Sequence, residues 1–171
     1  MRAPEPPRQL YEAIVAQARQ PVFYTDFGVA DDVEGRFEMI VMHLVLVLDR
    51  TQQLGEPGRI AGQALFDLFF RDMDRSLREM GTGDLAVPKR IRRMAENVYG
   101  RADVYRAALS GDDVHALQSA IERNVRPAGA GAADRLAAYM RENWQALQSH
   151  DLDALIDGEV AWVSPRAAAP V

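Results

Sequence analysis

The chain has 171 residues, 48% of them hydrophobic and 26% charged, which suits one globular domain with a filled core and leaves little chain for a second. A formal charge of −5 argues against nucleic-acid binding driven by whole-chain charge, DNA above all, and the lack of cysteine excludes disulfides, thiolate metal sites and cysteine nucleophiles. The longest apolar run, Met39 to Leu48, is broken by His43 and falls short of the about 20 residues needed to span a bilayer, so it reads as a buried helix.

Residues 1–7 carry three prolines and no periodicity and are expected to form a disordered leader to a helical domain over 8–163, with a frayed tail over 164–171. The N-terminus has no secretory signal core and is too acidic and proline-rich for a transit peptide, so the expected location is the cytoplasm. Leu10, Tyr11, Ile14, Val15 and Ala18 share one side of a first helix that ends before Pro21. Phe23, Tyr24 and Phe27 lack helical spacing, which predicts an irregular segment with partly buried aromatics.

Asp31 and Glu34 have the spacing of a capping box and open a helix to about Leu54 whose middle is apolar nearly all round, the pattern of a central core helix. Gly55, Pro57 and Gly58 predict a break. From Arg59 a long helix places Ala61, Leu65, Leu68, Phe69, Met73, Leu77 and Met80 on one stripe, with Gly81 as its stop. Phe66 and Phe70 widen that stripe, either because the helix packs on two sides or because it borders a partner groove. Its polar face holds Asp67–Arg71, Asp74–Arg78 and Arg75–Glu79 at the four-residue spacing where opposite charges meet.

After the loop Gly81-Thr82-Gly83-Asp84-Leu85-Ala86-Val87, Pro88 opens a helix with Ile91, Met94, Ala95 and Val98 inward, continuing through Gly100 to Leu109. Gly100 costs about 1 kcal/mol relative to alanine and predicts a bend or a close helix contact. A further helix follows to about Val125 with Val114, Leu117, Ala120 and Ile121 inward. Leu136, Met140, Trp144 and Leu147 mark another, and a short turn spans Asp151 to Asp157. Nothing alternates with a strand's period. The fold class is all-α, a single-domain irregular bundle of about six helices.

No catalytic constellation is present: there is no metal-binding histidine spacing, nucleophile elbow, P-loop or dinucleotide fingerprint, so the chain reads as a non-enzyme without cofactor. His43, near Met39 and Met42, fits either a hydrogen-bonded core histidine or a haem ligand. The clusters Asp31/Asp32/Glu34 and Asp67/Asp72/Asp74 read as capping and charge pairing; the alternative is an isoprenoid-diphosphate enzyme or binder that uses them with magnesium. Charge is segregated: six basic and two acidic residues between Pro88 and Arg106 give a local +4, leaving −9 elsewhere. Such a face suits phospholipid headgroups, an acidic partner segment or, less favoured, ribosomal RNA, and equally a solvated helix.

Several strings in Gln63–Leu109 are distinctive: Phe66-Asp67, Arg71-Asp72-Met73-Asp74, Arg78-Glu79, the loop Met80-Gly81-Thr82-Gly83-Asp84, Val87-Pro88-Lys89 and Tyr99-Gly100-Arg101. Together they resemble the ubiquinol–cytochrome c chaperone family, with weaker likeness at Phe37, Glu38 and His43 and at Arg123-Asn124-Val125. The resemblance implies an all-α assembly factor that binds newly made cytochrome b, in mitochondria beside a small partner subunit, and supports its incorporation into the cytochrome bc1 complex. The arginine- and alanine-rich composition suits a bacterial member, with peripheral contact at the cytoplasmic face of the inner membrane. On this reading Phe66, Phe70 and Met73 supply apolar contact, Gly81 and Asp84 a shaped turn, and Lys89, Arg90, Arg93, Tyr99 and Arg101 the rim of the partner surface.

Overall fold

The computed structural model describes residues 5–166, so the expected leader and tail lie partly outside the described residues. Eight helices follow in order: α1 (Arg8–Ala18), α2 (Val22–Thr25), α3 (Val33–Gln52), α4 (Gly55–Glu79), α5 (Val87–Ser110), α6 (Ala116–Asn124), α7 (Ala132–Leu147) and α8 (Leu152–Ile156). No strand occurs among the described residues, and the expected all-α class is what the molecule has.

α3 is the axis. Residues 38–47 are buried without interruption, and α1, α4, α5 and α7 pack around them. That arrangement is why this stretch is apolar all round: each buried aliphatic side chain contributes about 1.5–3 kcal/mol, and every side of the helix meets a neighbour. α6 joins α5 to α7, and α8 closes over α1 and the start of α4.

Several boundaries differ from the sequence expectation, each for a local reason. The cap of α3 is Asp32, whose Oδ1 accepts from the Gly35 amide at 2.8 Å; Asp31 pairs with Arg36, so the Asp31–Glu34 capping box does not form. Gly55-Glu56-Pro57-Gly58 is the first turn of α4 and not a break before it, since a first-turn proline has no amide to satisfy. Pro21 ends α1 and also starts α2, turning Phe23 and Phe27 fully inward where partial burial was expected. α7 begins at Ala132, ahead of its large apolar stripe, with Ala132 and Ala133 buried. Val114, expected inside, is exposed, because α6 starts only after it.

α4 and α5 run antiparallel, joined by 80–86. Gly81 ends α4 as expected: at φ +88° it lets its own amide reach the Arg78 carbonyl and the Thr82 amide reach that of Leu77, a Schellman turn. The hairpin so made is thinly packed at its far end. Between Phe70 and Asn97 only Val87 is buried, and Leu77, Ile91 and Met94 are half-buried outside the main core.

Candidate functional site

The polar residues of α3 decide which charges on α5 are free. Glu38, buried, accepts from Arg101 Nε at 2.8 and 2.9 Å and from Nη2 at 2.6 Å. Asp49, also buried, accepts from Arg106 Nε at 2.8 Å and from the Trp144 indole of α7 at 2.8 Å. Two of the six basic residues between Pro88 and Arg106 are therefore committed to buried carboxylates, Arg101 itself largely covered and Arg106 still exposed. Arg101, read from the sequence as a rim residue, is a strut between α5 and α3. Lys89, Arg90, Arg92 and Arg93 remain exposed, and among the described residues none of the four is in an ion pair.

The aromatic residues form a path from core to surface. Phe37 of α3 lies 6.1 Å from Phe69, which is 5.0 Å from Phe70; Phe70 is 4.6 Å from Phe66, and Phe66 is 5.0 Å from Tyr99 of α5. Phe69 is fully buried, Phe37, Phe66 and Phe70 are half-buried, and Tyr99 is 57% exposed. These ring spacings are those of attractive aromatic pairs. Phe66 and Phe70 thus pack on two sides, toward α3 through Phe69 and toward α5 through Tyr99. Met73 lies half-buried against the same core.

The turn residues are differently placed. Gly81 and Asp84 are exposed at the hairpin end, where Asp84 accepts from Arg78 Nη1 at 2.6 Å and Arg90 Nη1 donates to Thr82 Oγ1 at 3.3 Å. The ten residues singled out from the sequence consequently fall into three groups. Phe66, Phe70, Met73 and Tyr99 share the shank of the hairpin, Gly81, Asp84, Lys89, Arg90 and Arg93 its far end, and Arg101 the interior. Sequence reading missed Phe37 as the inner anchor of the aromatic path, and Leu85 as the most exposed large apolar side chain, at 98%. The second was signalled by a lone leucine in a glycine-bounded loop.

Gly100 faces nothing: a Cβ built there meets no atom within 4 Å, so the close contact expected at this glycine is absent. Nor do the acidic clusters converge. Asp72 takes the Tyr11 hydroxyl and Arg75, Asp74 pairs with Arg78, and Asp67 accepts from Gln63 in place of the expected Arg71. Among the described residues no three histidine or carboxylate side chains are grouped to hold a metal ion.

His43 is sealed in the core. Because a carbonyl can only accept, Nδ1 carries the proton and donates to Met39 O at 2.7 Å, leaving Nε2 to accept from the Tyr139 hydroxyl at 2.8 Å. Gln17 Nε2 completes the chain by donating to Tyr139 Oη at 2.9 Å, and Trp162 lies edge-on to the imidazole. Burial pushes the His43 pKa down to about 4, so the ring is neutral, and with both nitrogens engaged it has no lone pair free for haem iron. The core reading of His43 holds.

Comparison with known proteins agrees with this architecture. The family described as Ubiquinol-cytochrome C chaperone matches residues 25–162. The chain belongs to that family. The chaperone match runs from α2 into the segment after α8, well beyond the stretch that carried the resemblance. The crystal structure of the Cbp3 homolog from Brucella abortus superimposes with a TM-score of 0.82 at 38% identity, over 92% of this chain and 88% of that one. Ubiquinol-cytochrome c reductase complex assembly factor 1 of mouse is 25% identical and that of human 24%, each over 90% of this chain. The chain spans about half the length of these two curated relatives.

Proposed function

We propose that this protein binds newly made cytochrome b at the cytoplasmic face of a bacterial inner membrane and supports its assembly into the cytochrome bc1 complex. Family membership supports the assembly role, and the mouse and human relatives, assembly factors of the ubiquinol-cytochrome c reductase complex, point to the complex. The observation that supports a binding surface is the aromatic path through Phe70 and Phe66 to Tyr99: it brings apolar surface out to solvent on the same helix that carries Lys89, Arg90 and Arg93. An apolar contact bordered by cations suits a hydrophobic segment with an acidic flank. Phe66, Phe70, Met73 and Tyr99 form the contact, Gly81 and Asp84 shape the adjoining turn, and the three cations form the rim. The work is protection and handover, without bond-making.

Affinity purification of the tagged protein from detergent-solubilised membranes tests this. Cytochrome b co-purifies with the wild type, and Tyr99→Asp lowers its recovery while the helical circular dichroism is unchanged. Recovery without cytochrome b, or normal bc1 levels in a deletion strain, refutes the reading.

A further inference from the structure

The far end of the α4–α5 hairpin carries a second kind of surface. In the loop 80–86 the Leu85 side chain is 98% exposed and Met80 is 63% exposed. Gly81 and Gly83 have no atom within 4 Å of an added Cβ, so the turn is covered by no other described part of the protein. An aliphatic side chain held fully in water at the apex of a polar hairpin gains nothing from folding.

The charge around it is lopsided. Between Arg78 and Arg93 five basic residues face two acidic ones, in a chain whose total is −5. Arg78 is neutralised by Asp74 and Asp84, whereas Lys89, Arg90, Arg92 and Arg93 occupy the first two turns of α5 with no ion pair among the described residues. The Arg90–Thr82 hydrogen bond ties that collar to the loop.

Two aliphatic side chains make too small a surface to hold a membrane-spanning client segment. A small wedge inside a cationic collar does match the interface of an anionic bilayer, where the wedge enters the acyl boundary and the collar meets headgroup phosphates. We propose that the apex of the α4–α5 hairpin docks the protein on anionic membrane, with Leu85 and Met80 inserted and Lys89, Arg90, Arg92 and Arg93 on the phosphates. This rests on the membrane-face location proposed above for its setting; the aliphatic wedge is separate from the aromatic shank, and Lys89, Arg90 and Arg93 border both, so Leu85 is the residue that tells the two apart.

Vesicle flotation with the purified full chain, without cytochrome b, tests it. The protein floats with vesicles of phosphatidylcholine mixed with phosphatidylglycerol and stays behind with pure phosphatidylcholine. Added salt weakens binding, and Leu85→Ser lowers the partition coefficient by about tenfold at an unchanged Tm. Binding that is equal on both vesicle types, or indifferent to Leu85→Ser, overturns the proposal. Absence of vesicle binding while cytochrome b is still recovered from detergent overturns it and leaves the chaperone reading standing; the opposite pair of results does the reverse. If Leu85→Ser abolishes cytochrome b recovery or a concentration-dependent dimer, and vesicles bind neither protein, the apex belongs to the client or to a second copy and the proposal fails.

Discussion

The core around α3 and the outer half of the α4–α5 hairpin are both helical, but they are held by different means. Around α3 ten successive residues are buried, and charges that enter are fully partnered, as Glu38 is by Arg101 and Asp49 by Arg106 and Trp144. Between Phe70 and Asn97 one residue is buried, and helix capping and surface pairs such as Arg78–Asp74 hold the chain. Stability is concentrated in the first region, and unpaired apolar and cationic surface is left in the second. A molecule that must present such surface to a partner can do so where exposing it costs the core little.

Hydrogen exchange measures that difference most directly. Amides of residues 38–47 exchange only through global unfolding, and those of the hairpin end exchange about a hundredfold faster or more through local opening. Equal protection would erase the distinction between the regions. Within the core, Arg101→Met strands the Glu38 carboxylate and costs about 3–5 kcal/mol by urea denaturation, whereas Glu38→Leu with Arg101→Leu recovers most of the loss. Failure of the double variant to recover would return Arg101 to the partner surface.

The buried histidine sharpens the contrast through pH. Its folded pKa of about 4 lies below the unfolded value of 6.5, so the unfolded chain binds the extra proton first. Its contribution is fully present above pH 6.5 and is lost as pH falls toward 4, a decline of about 3 kcal/mol. His43→Leu combined with Tyr139→Phe removes that part of the slope. Smaller effects belong to the hairpin. Gly100→Ala raises stability by up to about 1 kcal/mol, because nothing occupies the space of the added methyl. Leu85→Ser changes it by less than about 0.5 kcal/mol, since the side chain has no folded contact to lose.

Legibility from sequence followed the range of the interaction. The burial of α3, the stop at Gly81, the opening of α5 near Pro88 and the all-α class follow from periodicity and caps, which act within a few residues. The cap of α3 was misplaced by one residue because Asp31 and Asp32 are chemically equivalent candidates, and only backbone geometry selects Asp32. Of the bend or close helix contact that Gly100 suggested, the contact does not exist. The aromatic path was half legible: Phe66 and Phe70 stood out on one helix, but Phe37 and Tyr99 come from two others.

By itself the sequence determined the longer helices, their order, the turn that folds α4 back on α5 and the family to which the chain belongs, because these depend on local conformation and on side-chain pattern; the short α2 was read as irregular. Only the tertiary structure decided which charges remain available. Glu38–Arg101 and Asp49–Arg106 join residues 63 and 57 positions apart, and a cation is taken up in an ion pair only when a distant carboxylate arrives beside it. The same holds in reverse for Leu85, whose full exposure follows from no other described element reaching the hairpin's end.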